Sequence, residues 1–297
     1  MQGFLIIDKP TTWTSHDVVA KLRGILKEKK IGHLGTLDPL ATGVLVVAVG
    51  RSATKQIQHF MKLDKEYEVE LELGKISDTY DSDGKVEKTG FDVRELDKKL
   101  VQETLESFWG KSMQMPPAFS AKKIHGKKAY ELARAGKPVE LKEVEVEMQG
   151  RDIEVNLPFV RFIVTVSSGT YVRSLVHDFG QKLGCGALLT ALRRIRVGDF
   201  KIADAQTLEQ IQRESENPLS MPSSICSFLH HGSEERGSGS SFFFLYSLMV
   251  QKATNRIMED FPGEAQRKAL GRSFLNHVGR KAPLPAEPMQ ESLQYSV

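Results

Sequence analysis

The densest run of chemistry-bearing residues is Gly32-His33-Leu34-Gly35-Thr36-Leu37-Asp38-Pro39-Leu40-Ala41-Thr42-Gly43. Three glycines, one proline and two threonines within twelve residues make a sharply turned loop, and such a loop can hold one carboxylate in a fixed pose. Pro39 bars helical backbone at Asp38, which helps to aim the side chain. On these residues alone Asp38 is either a turn former or a positioned catalytic acid. Other chemistries find no support. Asp81-Ser82-Asp83-Gly84 has calcium-loop character, but Thr79 stands where the first acid belongs and Gly90 where the closing glutamate belongs. No phosphate-binding loop or dinucleotide fingerprint is present.

The loop needs an element on either side. Gly3-Phe4-Leu5-Ile6-Ile7 reads as a buried strand, and a helix is expected to start at Thr14 or Ser15, either of which can cap it. Its apolar positions Val18, Val19, Leu22, Ile25 and Leu26 follow the helical period. Val44–Val49, between Gly43 and Gly50, reads as a fully buried strand. In Lys65–Leu73, Tyr67, Val69, Leu71 and Leu73 alternate with four glutamates, giving a strand with one apolar and one acidic face. A helix is expected over Val93–Trp109, through Leu96, Leu100, Leu105 and Phe108, with Gly110 as its stop. A short helix follows at Ala129–Ala135, then strands at Val139–Met148 and Arg161–Val166. Tyr171–Leu183 is amphipathic and ends at Gly184. Without a regular βαβ rhythm, these elements predict an α+β fold with a mixed, largely antiparallel sheet.

The bulk properties are those of a soluble globular chain: 297 residues, 40% hydrophobic, 27% charged. No run approaches the ~18 apolar residues of a membrane helix, and the first residues lack signal-peptide character. Cys185 and Cys226 are too few for a disulfide framework or a four-ligand zinc site, so a reduced, cytoplasmic setting is expected. The net charge of +3 says little about partners. Basic residues nevertheless gather at Lys21–Lys30, Lys122–Lys128 and Arg193–Arg196, and acidic ones at Glu66–Glu72 and Glu140–Glu147. Such patches read either as a local nucleic-acid footprint or as solvated faces.

The loop from Gly32 to Gly43 resembles the signature loop of the TruB family of tRNA pseudouridine synthases, with Asp38 at the position of the catalytic aspartate. Further segments match in order: Asp8-Lys9-Pro10 with Thr14-Ser15-His16-Asp17; Lys65-Glu66-Tyr67; Gly74 through Asp78-Thr79-Tyr80-Asp81 to Gly84; Pro116 to Lys123 and on to Arg134; Ser168 to Leu175; and Leu192-Arg193-Arg194. The resemblance covers roughly residues 3–215. It implies a pseudouridine synthase fold with helices flanking the sheet and a central catalytic cleft. The implied activity is isomerisation of uridine to pseudouridine at position 55, in the T arm of tRNA, with no cofactor and no metal. A monomer with tRNA as partner, no membrane and no obligatory protein partner is expected.

The resemblance also implies roles. The target uridine must be flipped out of its stack, at a cost of a few kcal/mol. Tyr67 would stack on the base, which can offset about 1–3 kcal/mol, and its hydroxyl is a candidate base for the C5 proton. Asp38 would attack the sugar or the base, or remove a ribose proton; the sequence leaves all three routes open. Arg173 would pair with Asp38. His33 would lie near the flipped nucleotide or a phosphate, without an acid–base role. Tyr171 and Leu192 would line the base pocket, and Lys9 would contact the RNA backbone or close the N-terminal loop. The insertion, about residues 115–150, carries five lysines over Lys122–Lys137 and would grip RNA.

Residues 1–217 are read as the catalytic domain. The composition shifts after Asn217, and His230–Ser241 reads as linker. Residues 218–297 form an atypical tail, expected to be weakly ordered, in which no C-terminal RNA-binding module is recognisable; divergence or an altered reading frame would account for it. Three rival readings stand beside the enzyme: a tRNA-binding RNA chaperone with little turnover, a guide-RNA-dependent synthase, and a degraded protein.

Overall fold

The structure is a computed structural model and describes residues 2–216, less 121, 125–126, 130–131, 133–134, 136–137 and 139–140, together with Cys226–Ser227. The chain divides into two units, Met1–Ser233 and Glu234–Val297, and the second lies wholly outside the described residues. The linker expected at His230–Ser241 also lies outside the described residues, as does the rest of the tail apart from Cys226–Ser227.

In chain order the elements are β1 (Gly3–Lys9), α1 (Ser15–Leu26), β2 (Ile31–His33), β3 (Thr42–Val49), α2 (Gly50–Thr54), α3 (Ile57–Phe60), β4 (Lys65–Leu73), β5 (Lys75–Ser77), β6 (Val86–Lys88), α4 (Lys98–Glu106), β7 (Gly110–Gln114), β8 (Lys123–Ile124), β9 (Lys127–Lys128), β10 (Val144–Asn156), β11 (Phe159–Val166), α5 (Val172–Leu183), β12 (Ala187–Val197), β13 (Phe200–Lys201), α6 (Leu208–Glu216) and β14 (Cys226–Ser227). Ten strands form one sheet in the order β14-β1-β3-β12-β4-β11-β10-β7, with β2 on β3 and β13 on β12. All pairs are antiparallel except β3 with β12, which run parallel at the centre. This is the mixed, largely antiparallel sheet that the pattern predicts.

Alternation decides which side chains meet which layer. Leu45, Val47 and Val49 of β3 join Tyr67, Val69, Leu71 and Leu73 of β4 in the main core, beneath apolar residues of α1, α4, α5 and α6. Val44, Val46 and Ala48 face the other way and pack with Phe4, Ile57 and Phe60 in a smaller core. Burial on both faces explains the unbroken apolar run of β3. The outer face of β4 is neither apolar nor bare: Glu66 pairs with Arg151 and Arg196, Glu70 with Arg161 and Glu72 with Lys75. Part of the acidic and basic patterning is therefore a cross-strand ion-pair lattice.

The boundaries hold where a cap or a strict period defines them. Thr14 caps α1 in a reciprocal capping box with Asp17, and Gly184 ends α5 in the left-handed conformation at φ +76°. The helix expected over Val93–Trp109 is instead a 3₁₀ turn at Val93–Glu95 followed by α4, because Asp97 accepts the Lys99 N–H and starts a new helix. Leu100 is then 51% exposed, while Val101 and Leu105 are buried. The strand expected at Val139–Met148 begins at Val144 and runs on to Asn156. Of the helix expected at Ala129–Ala135, only Ala129, Leu132 and Ala135 are described, and Ala129 is buried.

The parallel junction carries the loop of interest. Gly43 lies at φ +96°, and a β-carbon there would sit 2.3 Å from the Arg194 carbonyl oxygen across the β3–β12 pair. Gly43→Ala combines backbone strain with a clash against main chain, so it is expected to lower the unfolding free energy by roughly 2–4 kcal/mol. Urea unfolding checks this; a midpoint equal to that of the unsubstituted protein contradicts the close approach.

Candidate active site

The loop from Leu34 to Ala41 is shaped by groups reaching it from its two flanks. From the N-terminal side, the Ser15 hydroxyl accepts the Leu37 N–H at 2.8 Å and donates to the Leu37 carbonyl at 3.1 Å. The Thr12 N–H donates to the Pro39 carbonyl at 2.9 Å. Lys9 is fully buried, and its ammonium donates to the carbonyls of Trp13 at 2.6 Å, Pro10 at 2.8 Å and Pro39 at 3.3 Å. From below, Arg194 is 1% exposed. It donates to the Val44 carbonyl at 2.7 Å, the Gly35 carbonyl at 3.1 Å and the Thr36 carbonyl at 3.4 Å, and lies 3.5 Å from the Tyr67 hydroxyl. The Ala41 N–H closes a turn on the Asp38 carbonyl at 3.1 Å. The segment is thus a braced turn that presents one carboxylate.

Arg173, at the start of α5, meets that carboxylate. Its Nε is 2.9 Å from Asp38 Oδ2 and 3.5 Å from Asp81 Oδ2. The N–H does not point along either line, so both contacts are coulombic rather than hydrogen bonds. The other guanidinium nitrogens donate to the Thr79 carbonyl and the Phe119 carbonyl, each at 2.9 Å. The Arg173 side chain is 6% exposed and that of Asp38 39%. The cation is therefore dry, and the carboxylate it fixes is open on one side. Asp81 is buried and steadied by the Thr79 hydroxyl at 2.6 Å. Burial pushes its carboxyl pKa up, against the pull of Thr79 and Arg173.

Of the remaining residues singled out in the sequence, two share the main core with the loop. Tyr67 and Leu192 belong to the main core beside Leu37 and Ala41 of the loop. β4 pairs with β12 so that Tyr67 lies opposite Arg194 and Val69 opposite Leu192. Tyr171 caps α5, its backbone N–H and C=O both bonded to the Gln114 side chain at 2.8 and 3.1 Å. Burial raises its phenol pKa, with a further upward push from Asp38. His33 ends β2; burial lowers its pKa, helped by Arg194 and His16, so the ring is neutral at pH 7. For Lys9 the sequence left two roles open, and with its ammonium buried on three carbonyls the side chain closes the loop rather than reaching an RNA backbone.

Sequence reasoning missed Asp81, the Phe119 carbonyl and the bracing roles of Ser15 and Arg194. Asp81 stood inside a segment read for calcium-loop character and for its resemblance to the family, and Arg194 inside a basic cluster read as either a nucleic-acid footprint or a solvated face. In that cluster Arg193 pairs with Asp8 at 2.8 Å, Arg196 with Glu66 at 3.2 Å, and Arg194 is internal. Among the described residues no group of histidines, cysteines and carboxylates has metal-binding geometry, and no helix is long and apolar enough to cross a membrane.

Residues 23–172 match the family model described as TruB family pseudouridylate synthase (N terminal domain), and residues 173–220 the tRNA pseudouridylate synthase B C-terminal domain. The tRNA pseudouridine synthase B of Geobacter sulfurreducens is 46% identical over 236 residues, 77% of each chain. That of Clostridium acetobutylicum is 38% identical over 291 residues, 95% of this chain and 98% of the relative. Among solved structures, a chain of a Cbf5-Nop10-Gar1 complex superposes with a TM-score of 0.56 at 32% identity, covering 71% of this chain and 54% of that one. A chain of an H/ACA RNP bound to a substrate RNA containing 2'-deoxyuridine gives 0.54 at 29% identity, covering 71% and 53%. The chain therefore spans about half the length of these solved chains.

Another buried cation, Lys65, whose ammonium donates to the Met61 carbonyl at 3.0 Å, has a measurable signature. Burial holds the Lys65 ammonium at about 8, with Arg194 pushing the same way. Below pH 8 the folded and unfolded states both carry this proton, so the cost of burying the charge is fully present. Between about 8 and the ordinary 10.5 the unfolded chain binds the extra proton, and stability from this group rises with pH. The difference in unfolding free energy between the unsubstituted protein and Lys65→Met should move toward the unsubstituted protein by about 2 kcal/mol from pH 7 to pH 10. A pH-independent difference contradicts the buried charge.

Proposed function

The chain belongs to the TruB family of pseudouridylate synthases, and we propose that it isomerises uridine to pseudouridine at position 55 in the T arm of tRNA. The observation that carries the reading is a half-open Asp38 carboxylate held 2.9 Å from a dry guanidinium. The relatives named tRNA pseudouridine synthase B support tRNA as the substrate, and the segments that resemble the family support the T-arm site. The same reading takes residues 1–217 as the catalytic domain and the protein as a cytoplasmic monomer that needs no partner but the RNA.

The chemistry balances within the nucleoside. The bond from C1′ to N1 breaks, the bond from C1′ to C5 forms, C5 loses its proton and N1 gains one. No electron acceptor or nucleotide is consumed. Asp38 engages the nucleoside by one of its three routes, and in each the carboxylate must be ionised and aimed when the base arrives. Arg173 supplies the opposite charge where water has been removed, so little reorganisation is needed at the moment of reaction. Flipping the uridine costs a few kcal/mol; the Tyr67 ring, on the same side of the sheet, offsets part of this by stacking. Its hydroxyl is kept in place by Arg194 and is the candidate acceptor of the C5 proton. Tyr171 and Leu192 line the pocket, and the neutral His33 ring fills space at its edge. Lys9 acts indirectly, by closing the loop that carries Asp38.

The test uses unmodified tRNA and maps pseudouridine. The unsubstituted protein is expected to form it at position 55, and Asp38→Asn to lower the rate at least about a thousandfold while tRNA binding persists. Arg173→Lys keeps the charge but loses the fork, and is expected to lower kcat roughly a hundredfold with KM little changed. Refolding of tRNA by both the unsubstituted protein and Asp38→Asn, without product from either, supports the chaperone reading instead.

A further inference from the structure

Tyr80 and His177 are used by no step described above, yet they are placed where the site is assembled. Their rings stack, with centroids 3.8 Å apart and planes 12° from parallel. Tyr80 lies between Thr79, whose carbonyl accepts from Arg173, and Asp81, whose carboxylate pairs with it. His177 is four residues beyond Arg173 on α5 and therefore lies on the same face of the helix, one turn along. The stack joins the two segments that the guanidinium joins. On its far side the turn is held to the sheet, the Tyr80 carbonyl accepting the Leu189 N–H at 3.4 Å and the Ser82 N–H donating to the Leu189 carbonyl at 3.2 Å.

The backbone adds an independent argument. Tyr80 stands at φ +67°, in the left-handed region. Glycine or asparagine occupies that region at little cost, whereas a bulky aromatic residue there is strained. Strain is tolerated when the side chain makes a contact that offsets it, and the contact here is the His177 ring. Burial lowers the His177 pKa, so the imidazole is neutral at pH 7 and the stack is one of two uncharged rings.

We propose that Tyr80 and His177 form a positioning pair for the isomerisation: their stack sets the spacing between the Asp78–Asp81 turn and α5, and so keeps Thr79 and Asp81 gripping Arg173 while its Nε faces Asp38. The pair touches none of the reacting atoms and acts only through Arg173. The proposal rests on the assignment of Asp38 and Arg173 to the reaction, and the experiment separates the two.

Steady-state pseudouridine formation on unmodified tRNA is measured with the full chain, alongside thermal melting. Tyr80→Phe and His177→Phe preserve a stacked ring and are expected to keep kcat within about threefold. Tyr80→Gly relieves the backbone strain and removes the ring, and His177→Ala removes the other half; each is expected to lower kcat roughly tenfold with KM nearly constant. In an Arg173→Lys background, Tyr80→Gly should cost little more, because both changes break the same linkage. Unchanged kcat in Tyr80→Gly or His177→Ala overturns the proposal, as does a purely KM effect, which marks contact with RNA. Full additivity with Arg173→Lys overturns it too. Should Arg173→Lys alone retain full kcat, the assignment of the site fails and the positioning role fails with it; a lowered kcat in Arg173→Lys beside unaffected stack variants sinks the positioning role alone.

Discussion

One buried guanidinium ties separate parts of this chain together. Arg173 is taken out of water and shared among Asp38, Asp81, the Thr79 carbonyl and the Phe119 carbonyl. These partners come from the loop before β3, the turn after β5 and the segment after β7, while the arginine itself comes from α5. A buried cation is costly unless its partners are well placed, so four separate parts of the chain must arrive together for any of them to be comfortable there. Exposure is asymmetric across the pair: the positive partner is sealed, and one negative partner, Asp38, is left open on one side.

A second set of buried cations shapes the loop rather than the reaction. Arg194 and Lys9 bond chiefly to main-chain carbonyls, and those of Gly35, Thr36 and Pro39 lie on both sides of Asp38. Turning carbonyls inward toward fixed cations leaves the loop few alternative conformations. It also explains the tight approach of β3 to β12 at Gly43, since Arg194 can reach the loop only if its own backbone lies against that glycine. Burial drops the Lys9 ammonium to about 8, with Asp38 working in the opposite direction, so the loop-closing lysine and the Asp38 carboxylate feel each other electrostatically.

What the sequence made legible was whatever is encoded locally. β4 could be read because tyrosine, valine and leucine alternate with glutamate, and α1 and α5 because a threonine cap and a terminal glycine mark their ends. Asp38, Tyr67, Tyr171, Leu192, His33 and Arg173 were singled out through motifs; the structure brings Arg173 to Asp38 and sets Tyr67 and Leu192 in the core shared with the Asp38 loop. The rest depends on distant partners. β12 escaped notice because three arginines interrupt its apolar pattern, and only the neighbouring strands reveal that one is internal and two are paired across the sheet. α4 was overextended because Asp97, a cap, looks like any other polar residue in a helical period. Asp81 carries no local sign of its role; its importance arises from the arginine that reaches it from 92 positions further along the chain.

The most direct test is a crystal structure of the protein bound to a T-arm RNA hairpin. A uridine turned out of the stack, with its sugar against the Asp38 carboxylate, its base against the Tyr67 ring and the Arg173–Asp38 contact intact, is the result this account predicts. A hairpin whose target base remains stacked, or enters a site away from Asp38, contradicts it.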